Sequence, residues 1–167
     1  MNAVVSDMEA INTFASESRV WVYQGHKAVP ADKRDAVRRV VADFATRWTS
    51  HNHQLKAYGD LLYDRFLVLV ADETQAGASG CSIDTSVRFV QQLGEQLAID
   101  FMDRLHFTYL DSDGAVHSVH KDHLPTAYQN GEVTDTTLMF DNLVRTKGDF
   151  TQRWLVPLGE SWMKRFV

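Results

Sequence analysis

Apolar residues recur along this chain with two spacings, and the switches between them divide it into elements. Arg19 to Gln24 (RVWVYQ) alternates, with Val20 and Val22 on one face and Trp21 and Tyr23 on the other. Both faces are apolar, so the segment reads as a strand buried on two sides. Pro30 opens a stretch in which Val37, Val40, Val41, Phe44 and Trp48 keep to one helical face, which predicts a helix from Ala31 to Trp48. Leu55 to Asp60 and Arg65 to Ala71 are short runs, the second (RFLVLVA) rich in β-formers, and together they predict an antiparallel hairpin turning near Leu61 to Asp64. Small and polar residues from Asp72 to Gly80 mark a loop. Ile83, Val87, Val90, Leu93 and Leu97 then return to helical spacing, predicting a second helix from Asp84 to Ile99.

Leu105 to Leu110 and Ala115 to His120 flank the string DSDG, whose Asp and Gly suit a tight turn, so a second antiparallel pair is expected there. A loop or short helix follows Lys121, then a strand at Thr136 to Phe140, a helix from Lys147 to Trp154 capped by Thr146, and a tail carrying Trp162 and Phe166. The order of the first six elements is β-α-β-β-α-β, in which two helices cover one face of an antiparallel sheet. The expected fold is therefore α+β with a ferredoxin-like core and a C-terminal α/β extension over residues 121–167. That extension would lengthen the sheet or cover its open face, for which the Trp154 to Phe166 region is rich enough in aromatics. Residues 1–15 lack a clear period and would fray or pack loosely, and the chain 1–167 is expected to form one globular domain.

Composition narrows the function classes. A chain of 167 residues that is 44% hydrophobic can bury a core of its own and is not a disordered polyampholyte. Seventeen Lys plus Arg against twenty-two Asp plus Glu give a formal charge of -5, which argues against a general nucleic-acid binder. The single cysteine cannot close an internal disulfide, and the start MNAVVSDMEA lacks the basic and apolar regions of a secretory signal. The longest apolar run, Phe66 to Ala71, is far short of the roughly 20 residues a membrane helix needs. A cytoplasmic location without a membrane span is the expectation.

Candidate chemistry concentrates in Gly77 to Ser86, GASGCSIDTS, where small residues allow a tight turn just before a helix whose first amides have no intrahelical acceptor. Gly80, Cys81, Ser82 and Ser86 are the candidate ligand-binding residues there, for a small anion or a partner, with Ser82 or Asp84 as the natural N-cap. The helix dipole would favour the Cys81 thiolate. Three uses stay open. Cys81 can be a small core residue with the polar residues merely capping; it can be a nucleophile or redox thiol assisted by Asp84, Ser82 or a folded-in His51; or the protein can act as a homo-oligomeric interaction or structural subunit, such as a homodimer, through a sheet edge or aromatic surface.

Two histidine groups, His51 with His53 and His117 with His120 and His123, do not have a spacing that converges three or four ligands, so no metal and no cofactor is expected. Trp21, Tyr23, Phe44 and Trp48 fall on faces assigned to the core. Lys33, Arg34, Arg38, Arg39 and Arg47 interleave with Asp32, Asp35 and Asp43, which reads as a solvated helix face. DSDG lacks the third acidic position and closing Glu of a calcium loop, and neither G-x-x-x-x-G-K-[ST] nor G-x-G-x-x-G occurs.

Several strings together, VWVYQ at Val20 to Gln24, RW-x-x-H at Arg47 to His51, DRF at Asp64 to Phe66, GCSIDTSV at Gly80 to Val87, FDNLV at Phe140 to Val144 and SW-x-x-RF at Ser161 to Phe166, resemble a family of small bacterial proteins. The likeness spans nearly the whole chain. Members are often labelled ABC transporter ATPase, while their activity is uncharacterised. The label finds no support in these residues, because Gly80 is followed by Cys81 and Ser82 where a phosphate loop would place Lys and Ser or Thr. Asn52 and Asp141 depart from the Gly and Asn of the family pattern.

Overall fold

A computed structural model of the chain describes residues 9–73 and 79–167. Most of the loop expected over Asp72 to Gly80, and the first eight residues of the segment expected to fray, therefore lie outside the described residues. The fold mixes helices with antiparallel sheets, as an α+β chain should. The first sheet has three strands, β1 (Arg19–Gln24), β4 (Lys56–Leu62) and β5 (Phe66–Asp72), in the order β1-β5-β4. A two-residue-strand hairpin, β2 (Thr49–Ser50) with β3 (His53–Gln54), precedes β4. The second sheet has four strands, β6 (His106–Leu110), β7 (Val116–His120), β8 (Leu138–Phe140) and β9 (Leu155–Pro157), in the order β7-β6-β8-β9.

The ladder partners of β6 are β7 and β8, and among the described residues β1 carries a strand on one side only. Gly25 N–H bonds Arg65 O on the β5 side, while Val20 N–H bonds Arg145 O on the other. Residues 19, 21 and 23 therefore turn their amides toward β5, and 20, 22 and 24 turn theirs away. Pairing on the far edge amounts to a single bridge, Arg19 with Thr146, and goes no further.

The alternation in β1 sorts its side chains as expected. Trp21 and Tyr23 pack with Leu67, Leu69 and Leu61 against α1 (Arg34–Arg47), α2 (Gly80–Leu97) and the buried Trp48. Trp21 meets Trp48 edge to face at 5.2 Å. Val20 and Val22 join Phe66, Val68 and Val70 on the opposite face, which is covered by Phe140, Val144, Phe150 and Trp154 together with Ile11 and Phe14. Cover thus comes from residues 140–155 and the N-terminal turn. Trp162 and Phe166 instead stack around Phe107 in a third apolar cluster beside α3 (Leu124–Gln129).

Local boundaries follow from local chemistry. A 3-10 turn at Ala31–Lys33 precedes α1 after Pro30, and α4 (Lys147–Arg153) starts at Thr146, whose hydroxyl accepts from Asp149 N–H as foreseen. The β6–β7 turn is held by Asp111 Oδ1, which accepts from Asp113 N–H and Ala115 N–H, with Gly114 at φ +81°. No helix among the described residues is long and apolar enough to cross a membrane.

Candidate functional site

α2 begins at Gly80, four residues before the expected start, and its N-cap is Ser79 rather than Ser82 or Asp84. Ser79 Oγ accepts from Ser82 N–H at 3.2 Å and lies 2.9 Å from Ser82 Oγ. Ser82 and Ser86 are buried inside the first turns: Ser82 Oγ donates to Thr49 O at 2.8 Å, and Ser86 Oγ donates to Ile83 O at 2.6 Å. Their hydroxyls are bonded to the protein itself. Gly80, Cys81 and Asp84 are exposed. The thiol is therefore on the surface, and the reading of Cys81 as a small core residue is replaced by that of an open one.

His51 comes closer to this helix start than the sequence required. It occupies the β2–β3 turn with Asn52, both in the left-handed region at φ 50° and 65°, which is the two-residue geometry that suits a tight hairpin. Ser50 Oγ accepts from Ser79 N–H, and the buried Trp48 indole donates to Ser82 O, so the hairpin docks on the first turn of α2. Among the described residues, no hydrogen bond joins His51 to Cys81 or Asp84. His53 sits in β3. His106, His120 and His123 gather at one end of the second sheet, with the His106 and His120 rings 5.2 Å apart and His120 and His123 5.7 Å apart, whereas His117 lies at the turn end of β7 beside Asp111 and His26 bonds Asp100 N–H. Among the described residues no three His, Cys, Asp or Glu side chains converge as a metal site.

Two concavities stand out among the described residues. A cleft of about 250 Å³ between α1 and α2 is lined by Val40, Phe44, Phe89 and Thr85, with Asp43 and Arg47 at its rim. The larger is a groove of about 730 Å³ that follows the free edge of β1. Val20 to Gln24 line its length. On one side stand Ile83 and Val87 of α2 with Phe101 and Met102; on the other stand Phe140, Leu143 and Val144, with Trp162 and Met163 from the tail. Arg19 and Arg145 mark one end, and Asp103, Arg104 and His106 the other. Gly80, Cys81, Ser82 and Ser86 line neither concavity, and of α2's early residues only Ile83 faces the groove and Thr85 the cleft.

A buried polar strut sets the width of the groove. Gln24 Nε2 donates to His106 O at 2.9 Å, and Gln24 Oε1 accepts from Thr108 Oγ1 and from Asn142 Nδ2, each at 2.8 Å. Asn142 Oδ1 accepts in turn from the Trp154 indole, while Asp141 Oδ1 accepts from the Trp162 indole and from Leu143 N–H. The strut ties β1 to β6 through side chains where a ladder would have tied them through backbone. Charge around the groove is mostly positive. Arg104 and Arg145 are exposed and form no ion pair among the described residues, Arg19 lies 3.7 Å from Glu73, and Asp103 is bonded to His106 at 3.0 Å.

Burial pushes the Tyr23 hydroxyl above the usual phenol range, partly offset by its contact with Ser86. Arg65, between β4 and β5, is pulled down by burial and held up by the Asp103 charge; its Nε and Nη1 are buried without a hydrogen-bond partner. None of the groove residues was singled out from the sequence as a site, because the groove is assembled from β1, α2, residues 101–107, residues 140–145 and the tail, which meet only in three dimensions. In the groove wall Leu143, between Asn142 and Val144, is a large apolar side chain left 65% accessible. Compared with family models, with curated proteins and with solved structures, the chain finds no match.

Proposed function

We propose that this protein is a binding domain whose ligand lies in the groove along β1. The observation that carries the reading is the size and lining of that groove, about 730 Å³ with apolar walls and arginines at its ends, which is the composition of a specific recognition site. The β-α-β-β-α-β order reads as a ferredoxin-like sheet opened along β1, with the groove occupying the slot that the fourth strand would fill. An apolar ligand with an anionic group suits the walls and the arginines together. The small anion expected at Gly80 to Ser86 moves, in this reading, to the groove's arginine-bearing ends, since Ser82 and Ser86 already bond protein acceptors. A thiol-dependent activity of Cys81 is the weaker reading, because among the described residues no base or acid is hydrogen-bonded to the exposed sulfur.

The test uses anilinonaphthalene sulfonate, an apolar anion whose fluorescence rises in such sites. One saturable site is expected, lost or weakened roughly tenfold when Val87→Trp fills the groove and unchanged when Val40→Arg alters the α1–α2 cleft. Dye binding indifferent to Val87→Trp would overturn the reading.

A further inference from the structure

The far edge of β1 ends its backbone pairing at Val20 N–H. The Val20 carbonyl, both backbone groups of Val22 and the Gln24 amide point along the groove and have no partner among the described residues. An edge of this kind is a template for one more strand. Such edges are commonly blunted by a lysine, a proline or a bulge, and β1 carries none of these. From Val20 to Gln24 the edge spans about 13 Å at roughly 3.3 Å per residue, room for a segment of about five residues.

Both walls beside this edge are apolar, so both alternating faces of an added strand would meet hydrocarbon: Trp21, Val87 and Met102 on one side, Val22, Phe140 and Leu143 on the other. The ends differ. Arg145 with Arg19 at one end and Arg104 at the other bring positive charge to both exits, in a chain whose overall charge is negative. Asp103 is the one carboxylate among the groove's lining residues, and it is bonded to His106.

Resting on the reading of the groove as the binding site, we propose that its ligand is an extended peptide segment, apolar over its central residues and acidic at both ends, added to β1 as a further strand. Backbone hydrogen bonds to Val22 and Gln24 would supply affinity, the two apolar walls would select the central side chains, and the arginines would select the ends.

The experiment titrates the acetylated octapeptide DDVYVIEE, fluorescently labelled, into the full chain and reads anisotropy. Saturable binding is expected. It should weaken roughly tenfold or more for KKVYVIKK and for the Arg104→Glu/Arg145→Glu double variant, both positions being exposed and the fold checked by circular dichroism. Two N-methylated peptides separate pairing from simple filling: one methylated at the first and third of the four central residues, the other at the second and fourth. A strand bonds β1 through only one of these sets, so one peptide should lose roughly tenfold or more while the other keeps its affinity. Equal affinity of the two overturns strand addition while leaving the groove as a site. Equal binding of the basic peptide, or no binding of DDVYVIEE to protein that still takes up the dye, also overturns it. So does a dimer in sedimentation of the free protein that DDVYVIEE does not dissociate, since a second copy would then hold the edge.

Discussion

Gln24 offers the sharpest test of how the two sheets are joined. Replacing it by methionine keeps the volume and removes the amide. His106 O then loses a donor, and the Thr108 hydroxyl and the Asn142 amide lose their common acceptor, three hydrogen bonds in all. Thr108 is 1% exposed and Gln24 5%, so water cannot readily replace what is lost at Thr108, whereas Asn142 is only partly buried and can be rehydrated. At about 1 kcal/mol per buried bond, with an added desolvation cost for the stranded Thr108 hydroxyl, Gln24→Met should destabilise by about 2–4 kcal/mol. For a chain of this size that is a fall in Tm of about 5–12 °C. Urea unfolding followed by tryptophan fluorescence reads it directly, with an unchanged m-value if both states keep their extent. A cycle with Thr108→Val should give a coupling of about 1 kcal/mol between the two positions. A loss below about 0.5 kcal/mol, or no coupling, would refute the idea that this strut holds β1 to β6.

Three further outcomes follow from local geometry. Gly59→Val puts a Cβ 2.9 Å from the side chains of Leu69 and Val41 and 3.0 Å from Val41 O, where α1 crosses β4; thermal melts should show a loss of about 1–3 kcal/mol or more, and a neutral result would mean that α1 does not lie so close. Cys81→Ser should leave Tm and dye binding unchanged, while wild-type Cys81 reacts with a thiol reagent in the native state; a thiol that reacts only after unfolding contradicts its exposure. The Asp135 carboxylate is held below its usual range, first by the Lys164 ammonium and then by the Tyr128 hydroxyl, and Lys164 is correspondingly raised. Its depressed value means that its stabilisation is present above the unfolded carboxylate value of about 3.9 and is lost as pH falls through the folded one. The Tm gap between wild type and Asp135→Asn should therefore close below about pH 4, and a gap that persists there contradicts the pairing.

What could be read from the residues was whatever the side-chain period controls. The two-sided apolar alternation of β1 and the stripe containing Val37 and Val41 placed those side chains on their observed faces, and Thr146 marked its helix start. The start of α2 was read late because Gly80, Cys81 and Ser82 contribute no apolar residue to the stripe; the period becomes visible only at Ile83, although Ser79 was already in capping position. The β2–β3 hairpin is too short for any period, and Asn52, tolerant of the left-handed region, was its only mark. Partner choice for β6 was not legible at all. The pattern of β6 suits pairing with β1 or with β8 equally, and the decision rests on Gln24, Thr108 and Asn142, which meet only in three dimensions.

Amide hydrogen exchange followed by NMR tests the open edge most directly. The amides of Trp21 and Tyr23 face β5 and should be strongly protected in the free protein, while those of Val22 and Gln24 exchange much faster from the same strand, and slow when the acidic peptide is added. Protection of Val22 equal to that of Trp21 in the free protein would mean that the edge is already paired, and the groove would have no strand to receive.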